Sequence, residues 1–288
     1  MRLLILEPSV YEDKKTLLKF IEKTAAWSDY NPPTWNGWLM DASSRLIAAE
    51  VMGQYAAIAH VTFVSTDELW LQGLRVAPSY RGQGIAVEIV KQAIEISKSL
   101  GASVIRYATR NTSKAIERIG RKLGFRTVAI FTLNWAPSTQ RLSSKLSIPF
   151  SEDIEALWTL LKESNVYRTV NGLYSTNWKF HSLTINKLYT HLENGEILIL
   201  KKGEEAKAIA IWTLAHQGRQ RVIGYVDGAI DSIGEMALAL RTHFKNHLQE
   251  INVTLPNLEY ISSAFLSAGY RPYYNETFSI YEQNLKYD

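Results

Sequence analysis

The sequence predicts an α+β fold, and three observations carry that expectation. Residues 69–125 read in the order strand, glycine-bearing loop, helix, strand, helix, strand. An antiparallel pair of strands comes before that run, and the second half of the chain closes on the same pattern as the first.

Taken in order, Leu3–Leu6 suggests an opening strand, and Tyr11–Thr24 a helix with Leu17, Leu18 and Ile21 turned inward. Two strands follow near Arg45–Val51 and Tyr55–Val64, with Gly53 in the hairpin turn. Leu69, Leu71, Leu74 and Val76 read as a buried strand that Pro78 closes. After the loop YRGQGIA, the residues Ala86, Ile89, Val90, Ala93, Ile96 and Leu100 repeat at helical spacing until Gly101 stops the helix. A β-branched and aromatic run, Ser103–Thr109, is the next strand. Asn111, Thr112 and Ser113 are cap candidates for a helix ending at Gly124, and a last strand is expected near Thr127–Leu133.

The loop carries the chemistry. Arg81, Gly84 and Ala86 fit an R-x-x-G-x-[G/A] spacing in which a turn poor in side chains feeds a helix start. Such a turn aims the amides of Gly82, Gln83, Gly84, Ile85 and Ala86 outward, where the helix dipole adds to them and Arg81 offers a planar cation. A phosphate-bearing ligand suits that cradle. The competing reading, a plain glycine turn, is weakened by the ordered elements on both sides.

With VAPSYRGQGIA, then Asn111, then KLGF ending at Phe125, the segment resembles the acetyl-CoA core of the GNAT superfamily of N-acetyltransferases. The phrase GLRVAP joined to RGQGIA also resembles the histidine N-acetyltransferase-like branch. The resemblance implies a mixed central sheet flanked by helices and acetyl-CoA as co-substrate. It also implies backbone contacts from Leu74, Arg75 and Val76 to the pantetheine arm, with Asn111 as a polar contact. Asn111 fits a helix cap equally well.

Two positions depart from the family pattern. The usual general base lies four or six residues before the valine, where this chain has Gln72 and Trp70, neither able to take a proton at neutral pH. Gln72 could orient a water, with Glu68, Glu50 and His60 as candidate relays. Many relatives also have a tyrosine, placed to protonate the departing thiolate, where this chain has Gly120. A thiolate can leave without full protonation, so the chemistry survives that loss.

The aromatic run WSDYNPPTWNGW, with Trp27, Tyr30, Trp35 and Trp38, falls where the family places an acceptor-covering loop. Stacking on a cationic or aromatic acceptor and packing a proline-rich loop onto the body explain it equally well. Tyr167, Tyr174 and Trp178 carry the same two readings, with packing favoured.

The second half runs from a strand near Val222–Val226 through a helix (Ser232–His247), a strand (Asn252–Leu255) and another helix to AGYRP, parallel to LGFRT. Its loop position reads VDGAIDSIGE, which lacks an arginine and brings Asp227 and Asp231 where a pyrophosphate would lie. Two tandem GNAT-like domains are therefore expected. Residues 1–138 would bind acetyl-CoA, and residues 139–288 would form a degenerate copy that shapes the substrate pocket or dimerises. An unrelated α+β second domain is the alternative. The break is placed in Ala136–Ser147, whose Pro, Ser and Lys content reads as a linker.

Composition bounds the rest. The chain has 288 residues, 46% hydrophobic and 21% charged, enough for two modest cores. It has no cysteine, which excludes disulfides, thiolate catalysis and thiolate metal sites. A net charge of +4 is too diffuse to argue for nucleic acid and favours an anionic cofactor. No apolar run reaches membrane-span length, and a cytoplasmic location is expected. No metal is expected. His243 and His247 have i,i+4 spacing, but HFKNH lacks the glutamate of a zinc-hydrolase helix. The expected activity is acetyl transfer to the amine of a small molecule, an amino acid among the candidates. A non-catalytic acyl-CoA sensor or scaffold and a protein or peptide acetyltransferase are the alternatives, and a homodimer is compatible with each.

Overall fold

A computed structural model describes residues 3–7, 13–24, 32–41, 43–139, 146–215, 220–244 and 250–286. The chain forms two compact units. The first comprises Met1–Ala108, Ser113–Arg126 and Tyr281–Asp288, and the second Thr109–Thr112 and Thr127–Ile280.

In the first unit, β1 (Leu3–Leu6), α1 (Lys14–Thr24) and α2 (Pro32–Met40) precede the strands β2 (Ser44–Val51), β3 (Gln54–Phe63) and β4 (Glu68–Val76). The hairpin between β2 and β3 turns on Met52 and Gly53, both at positive φ (53° and 77°), the turn type whose twist matches that of its strands. Then come α3 (Ile85–Ser99), β5 (Val104–Arg110) and α4 (Lys114–Lys122). The strands β1 to β4 pair antiparallel in sequence order, and β4 pairs parallel with β5, so the sheet is mixed. On one face α3 buries Ile85, Ile89, Val90, Ala93 and Ile96 against Ile47, Ala57, Leu69 and Ile105. A separate cluster holds α1 and α2 to the sheet through Leu17, Phe20, Ile21 and Trp35, packed with Leu46 and Ile58.

In the second unit, β6 (Arg126–Pro137) is followed by β7 (Leu146–Ser147), α5 (Ile154–Glu163) and α6 (Asn165–Thr169). The hairpin β8 (Leu173–Thr176) and β9 (Lys179–Ser182), α7 (Ile185–Glu193), β10 (Ile197–Lys202), β11 (Glu205–Ala215) and β12 (Gln220–Gly228) come next. The chain closes with α8 (Ile230–His243), β13 (Glu250–Pro256), α9 (Glu259–Ser267), β14 (Arg271–Pro272) and β15 (Phe278–Asn284), whose residues from Tyr281 onward belong to the first unit. The order β10, β11, β12 is antiparallel and β12 pairs parallel with β13 across α8. This repeats the first unit's step from β4 through α3 to β5, so the self-similarity read from the tail of the sequence is a topological repeat. The architecture is α+β, a mixed sheet flanked by helices.

Residues 136–137 and 146–147 of the expected linker are strand, while 140–145 lie outside the described residues. Trp27, Tyr30 and His247 lie outside them as well. No helix among the described residues is long and apolar enough to cross a membrane.

Candidate functional site

The site grows out of an irregularity in β4. Its parallel ladder with β5 runs from Glu68 opposite Val104 to Trp70 opposite Arg106 and stops there. On the other side, the register with β3 shifts between Ile58 and His60, so that Ala59 faces two residues, Gly73 and Leu74. A bulge of this kind bends and twists a strand, and Gly73 supplies the left-handed backbone it needs, at φ +66°. Beyond Trp70, β4 presents the backbone of Leu74, Arg75 and Val76 along an edge with no β5 partner among the described residues. An extended amide-bearing ligand can pair with such an edge.

Gly73 has a second role. A Cβ there would lie 2.9 Å from Trp38 and 3.1 and 3.2 Å from Trp35, so only glycine lets both indoles rest on the strand. Trp35 is fully buried in the α1 and α2 cluster, and packing is its role. Trp38 meets Trp35 edge-on at 4.8 Å and stacks on His60, also at 4.8 Å, with 14° between the planes. Gln72, the register partner of His60, donates from Nε2 to His60 Nδ1 at 3.1 Å. An amide nitrogen can only donate, so Nδ1 is the acceptor and the neutral ring carries its proton on Nε2. The fold thus brings Trp35, Trp38, His60 and Gln72 together.

The other relay candidates are placed differently. Glu68 is buried, accepts from Arg106 Nη1 at 2.9 Å and from the Ser65 hydroxyl at 3.2 Å, and shares Arg106 with Glu282 at 2.6 Å. A carboxylate so committed is a structural counter-ion. Glu50 is half-buried on β2, four positions from Leu46, the residue opposite His60. Trp70 is buried. The Arg75 guanidinium reaches back to the Ile21 carbonyl in the last turn of α1, at 3.4 Å, where a cation opposes the helix dipole. That leaves the backbone of Arg75 for a ligand.

The loop after β4 is an open cradle. Pro78–Tyr80 make one tight turn, Gly82 and Gly84 sit at φ 76° and 81°, and Gly84 caps α3. The amides of Gly82, Gln83, Gly84, Ile85 and Ala86 find no acceptor among the described residues. A Cβ on Gly82 or Gly84 would meet nothing within 4 Å, so that backbone faces open space. Arg81 lies beside it, its Nε held by the Val76 carbonyl at 3.2 Å. Gln83 turns its side chain back to the Ser79 carbonyl at 3.1 Å.

The side chain of Asn111 donates to the Thr277 hydroxyl and accepts from Ser279 at 2.6 Å, and its backbone amide donates to the Thr277 carbonyl at 3.1 Å. The structure also explains Gly120. A Cβ there would lie 1.8 Å from the Tyr107 hydroxyl, so the phenol of β5 claims the space next to α4. Tyr107 stacks on Tyr281 at 5.0 Å with 5° between the rings, and burial, then the nearby Tyr281 and Glu117, push its phenol up. Gly73 and Tyr107 were not singled out from sequence. A glycine inside a strand pattern is a known sign of a bulge or a close backbone approach, whereas nothing in the sequence marks Tyr107.

Residues 12–125 match the model of the acetyltransferase (GNAT) family. That match takes in β4, the glycine turn and α3. A histidine N-acetyltransferase of Oreochromis niloticus is 32% identical over 89 residues, 31% of this chain. The match spans 26% of that relative, about a quarter of its length. A GCN5-related N-acetyltransferase from Sphaerobacter thermophilus superposes with a TM-score of 0.65 at 13% identity, covering 98% of this chain and 96% of that one. A tandem GNAT protein from the clavulanic acid biosynthesis pathway superposes with a TM-score of 0.54 at 9% identity over 100% of both chains. These likenesses give the tandem GNAT fold, and the repeat between the two units accords with them.

Proposed function

We propose that the chain is a cytoplasmic N-acetyltransferase that moves an acetyl group from acetyl-CoA to the amine of a small molecule, with amino acids as the first acceptors to test. In this reading residues 1–138 hold the cofactor and residues 139–288 are a degenerate copy without it. The observation that carries the proposal is the set of five amides from Gly82 to Ala86 that have no acceptor among the described residues, at the start of α3 and next to the open edge of β4. The amides take the pyrophosphate, and the backbone of Leu74–Val76 pairs with the pantetheine arm.

The acceptor nitrogen attacks the thioester carbonyl, a C–N bond forms, the C–S bond breaks, and the thiolate leaves. The attacking amine must shed a proton. With Glu68 tied to Arg106, that proton passes to water oriented by Gln72, and the His60 imidazole is the nearest titratable ring to that amide. Calorimetry of acetyl-CoA with Gly84→Val tests the cofactor site. A bulky β-branched residue at φ 81° closes the cradle, so binding should be lost. Unchanged affinity with an intact fold overturns the proposal.

The commitments of Glu68 and His60 favour a second reading, a non-catalytic acyl-CoA sensor. Tight acetyl-CoA binding with no turnover across amino acids, polyamines and aminoglycosides would select it.

A further inference from the structure

The second unit alone holds an open cleft of ≈ 1100 Å³, slightly larger than the ~300–1,000 Å³ of ordinary small-molecule sites. Leu157 and Ile199 line its interior, while Leu160 and Ile230 stand at 39% and 75% exposure in its lining. Its charge is lopsided. Six carboxylates line it against two lysines, although the whole chain is +4. Both lysines are already paired, Lys201 with Asp153 at 3.5 Å and Lys207 with Glu205.

One of the six is unlike the rest. Asp227, at the end of β12, is 2% exposed. Its Oδ2 accepts from the Ser164 hydroxyl at 2.5 Å and the Tyr225 hydroxyl at 2.8 Å, and among the described residues no cation lies within ion-pair distance. A carboxylate this deep without a cation is costly to ionise, and burial pushes its carboxyl above the usual range. The neighbouring glycine does not mark a phosphate loop. A Cβ on Gly228 would lie 2.6 Å from that of Ala208, so packing of β12 on β11 requires it.

We propose that this cleft binds a small organic cation, an alkyl ammonium whose chain lies on Leu157, Leu160 and Ile230 and whose head group is the counter-ion of Asp227. The acidic lining draws such a ligand in and turns acyl-CoA away. This site is separate from acetyl transfer and stands whether or not the first unit binds acetyl-CoA.

Calorimetry on the full chain with n-hexylamine, 1-hexanol and hexanoate tests it. Hexylamine should bind, hexanol should bind roughly 10-fold more weakly or worse, and hexanoate should not bind. Asp227→Asn keeps the shape and acceptor oxygen and should lower hexylamine affinity by roughly 10-fold. Ala156→Trp, at an exposed position in the lining, should block hexylamine while circular dichroism stays unchanged. Hexylamine binding no tighter than hexanol, or binding indifferent to Ala156→Trp, overturns the proposal. Unchanged hexylamine affinity in folded Asp227→Asn does so too. If Asp227→Asn does not fold, the ligand series and Ala156→Trp decide.

Discussion

Replacing Gly73 by alanine separates two demands that the structure makes of one residue. The first is the left-handed backbone at φ +66°, which costs an L-residue about 1–2 kcal/mol. The second is space, since the new Cβ would lie 2.9 Å from Trp38 and 3.1 Å from Trp35. Trp35 is fully buried and cannot withdraw, so the strand or Trp38 must move, and overpacking of this kind adds about 1–3 kcal/mol. The expected loss is therefore about 2–5 kcal/mol. Gly53→Ala is the control, because it shares a positive φ of 77° but has nothing within 4 Å of its Cβ, leaving only the backbone penalty. Denaturant titration followed by tryptophan emission compares the two variants. Gly73→Ala should also lift Trp38 from His60 and raise the acceptor KM more than the acetyl-CoA dissociation constant. If Gly73→Ala is no less stable than Gly53→Ala, the indole contact does not require glycine and the account of this site is wrong.

Calorimetry should find one acetyl-CoA per chain at saturation, because Asp227 and Asp231 replace the cradle in VDGAIDSIGE, and two would show the second unit misread. Gln72→Ala should lower turnover by part of the ~10² to 10⁴-fold that general-base assistance is worth, with cofactor affinity unchanged. A complete loss of activity from changing Gln72, His60 or Glu50 alone would reveal a dedicated base. Gly120→Ala drives a Cβ into the Tyr107 hydroxyl 1.8 Å away and should cost about 1–3 kcal/mol, part of it recovered by adding Tyr107→Phe. Absence of that recovery in a double-mutant cycle would rule out the contact. For Asp227 the raised carboxyl means that the folded state holds its proton more tightly than the unfolded chain. Its stabilising effect is present at acid pH and is withdrawn as pH rises through the raised value. Asp227→Asn should therefore fall less in stability than the parent between about pH 4 and pH 8, and parallel curves would contradict that.

The elements of residues 44–137 and 220–272 were legible because periodicity and glycine stops are local signals. Apolar runs on either side of Gly53 predicted β2 and β3, helical spacing predicted α3, and the glycine-bearing loop predicted the turn that Gly84 caps before α3. The hairpin β8–β9 with α7 was not assigned, since Leu173–Ser182 is a short hairpin whose strands gain their burial from packing. The aromatic run was split by the fold in a way that composition could not foresee, with Trp35 sealed in a core and Trp38 laid on His60.

What the sequence determined by itself is whatever depends on neighbours along the chain: the order of strands and helices, the turn at Gly53, the glycine turn of residues 81–86 and the tandem pattern. Tertiary structure decided what depends on residues distant in sequence. It locked Glu68 to Arg106 and Glu282, set Gly73 beneath two indoles, explained Gly120 by a phenol thirteen positions earlier, and gathered Tyr281–Asp288 into the first unit. The physical reason is that partners such as Glu68 and Arg106 meet only once β4 and β5 pair, and no local spacing records which distant side chain arrives.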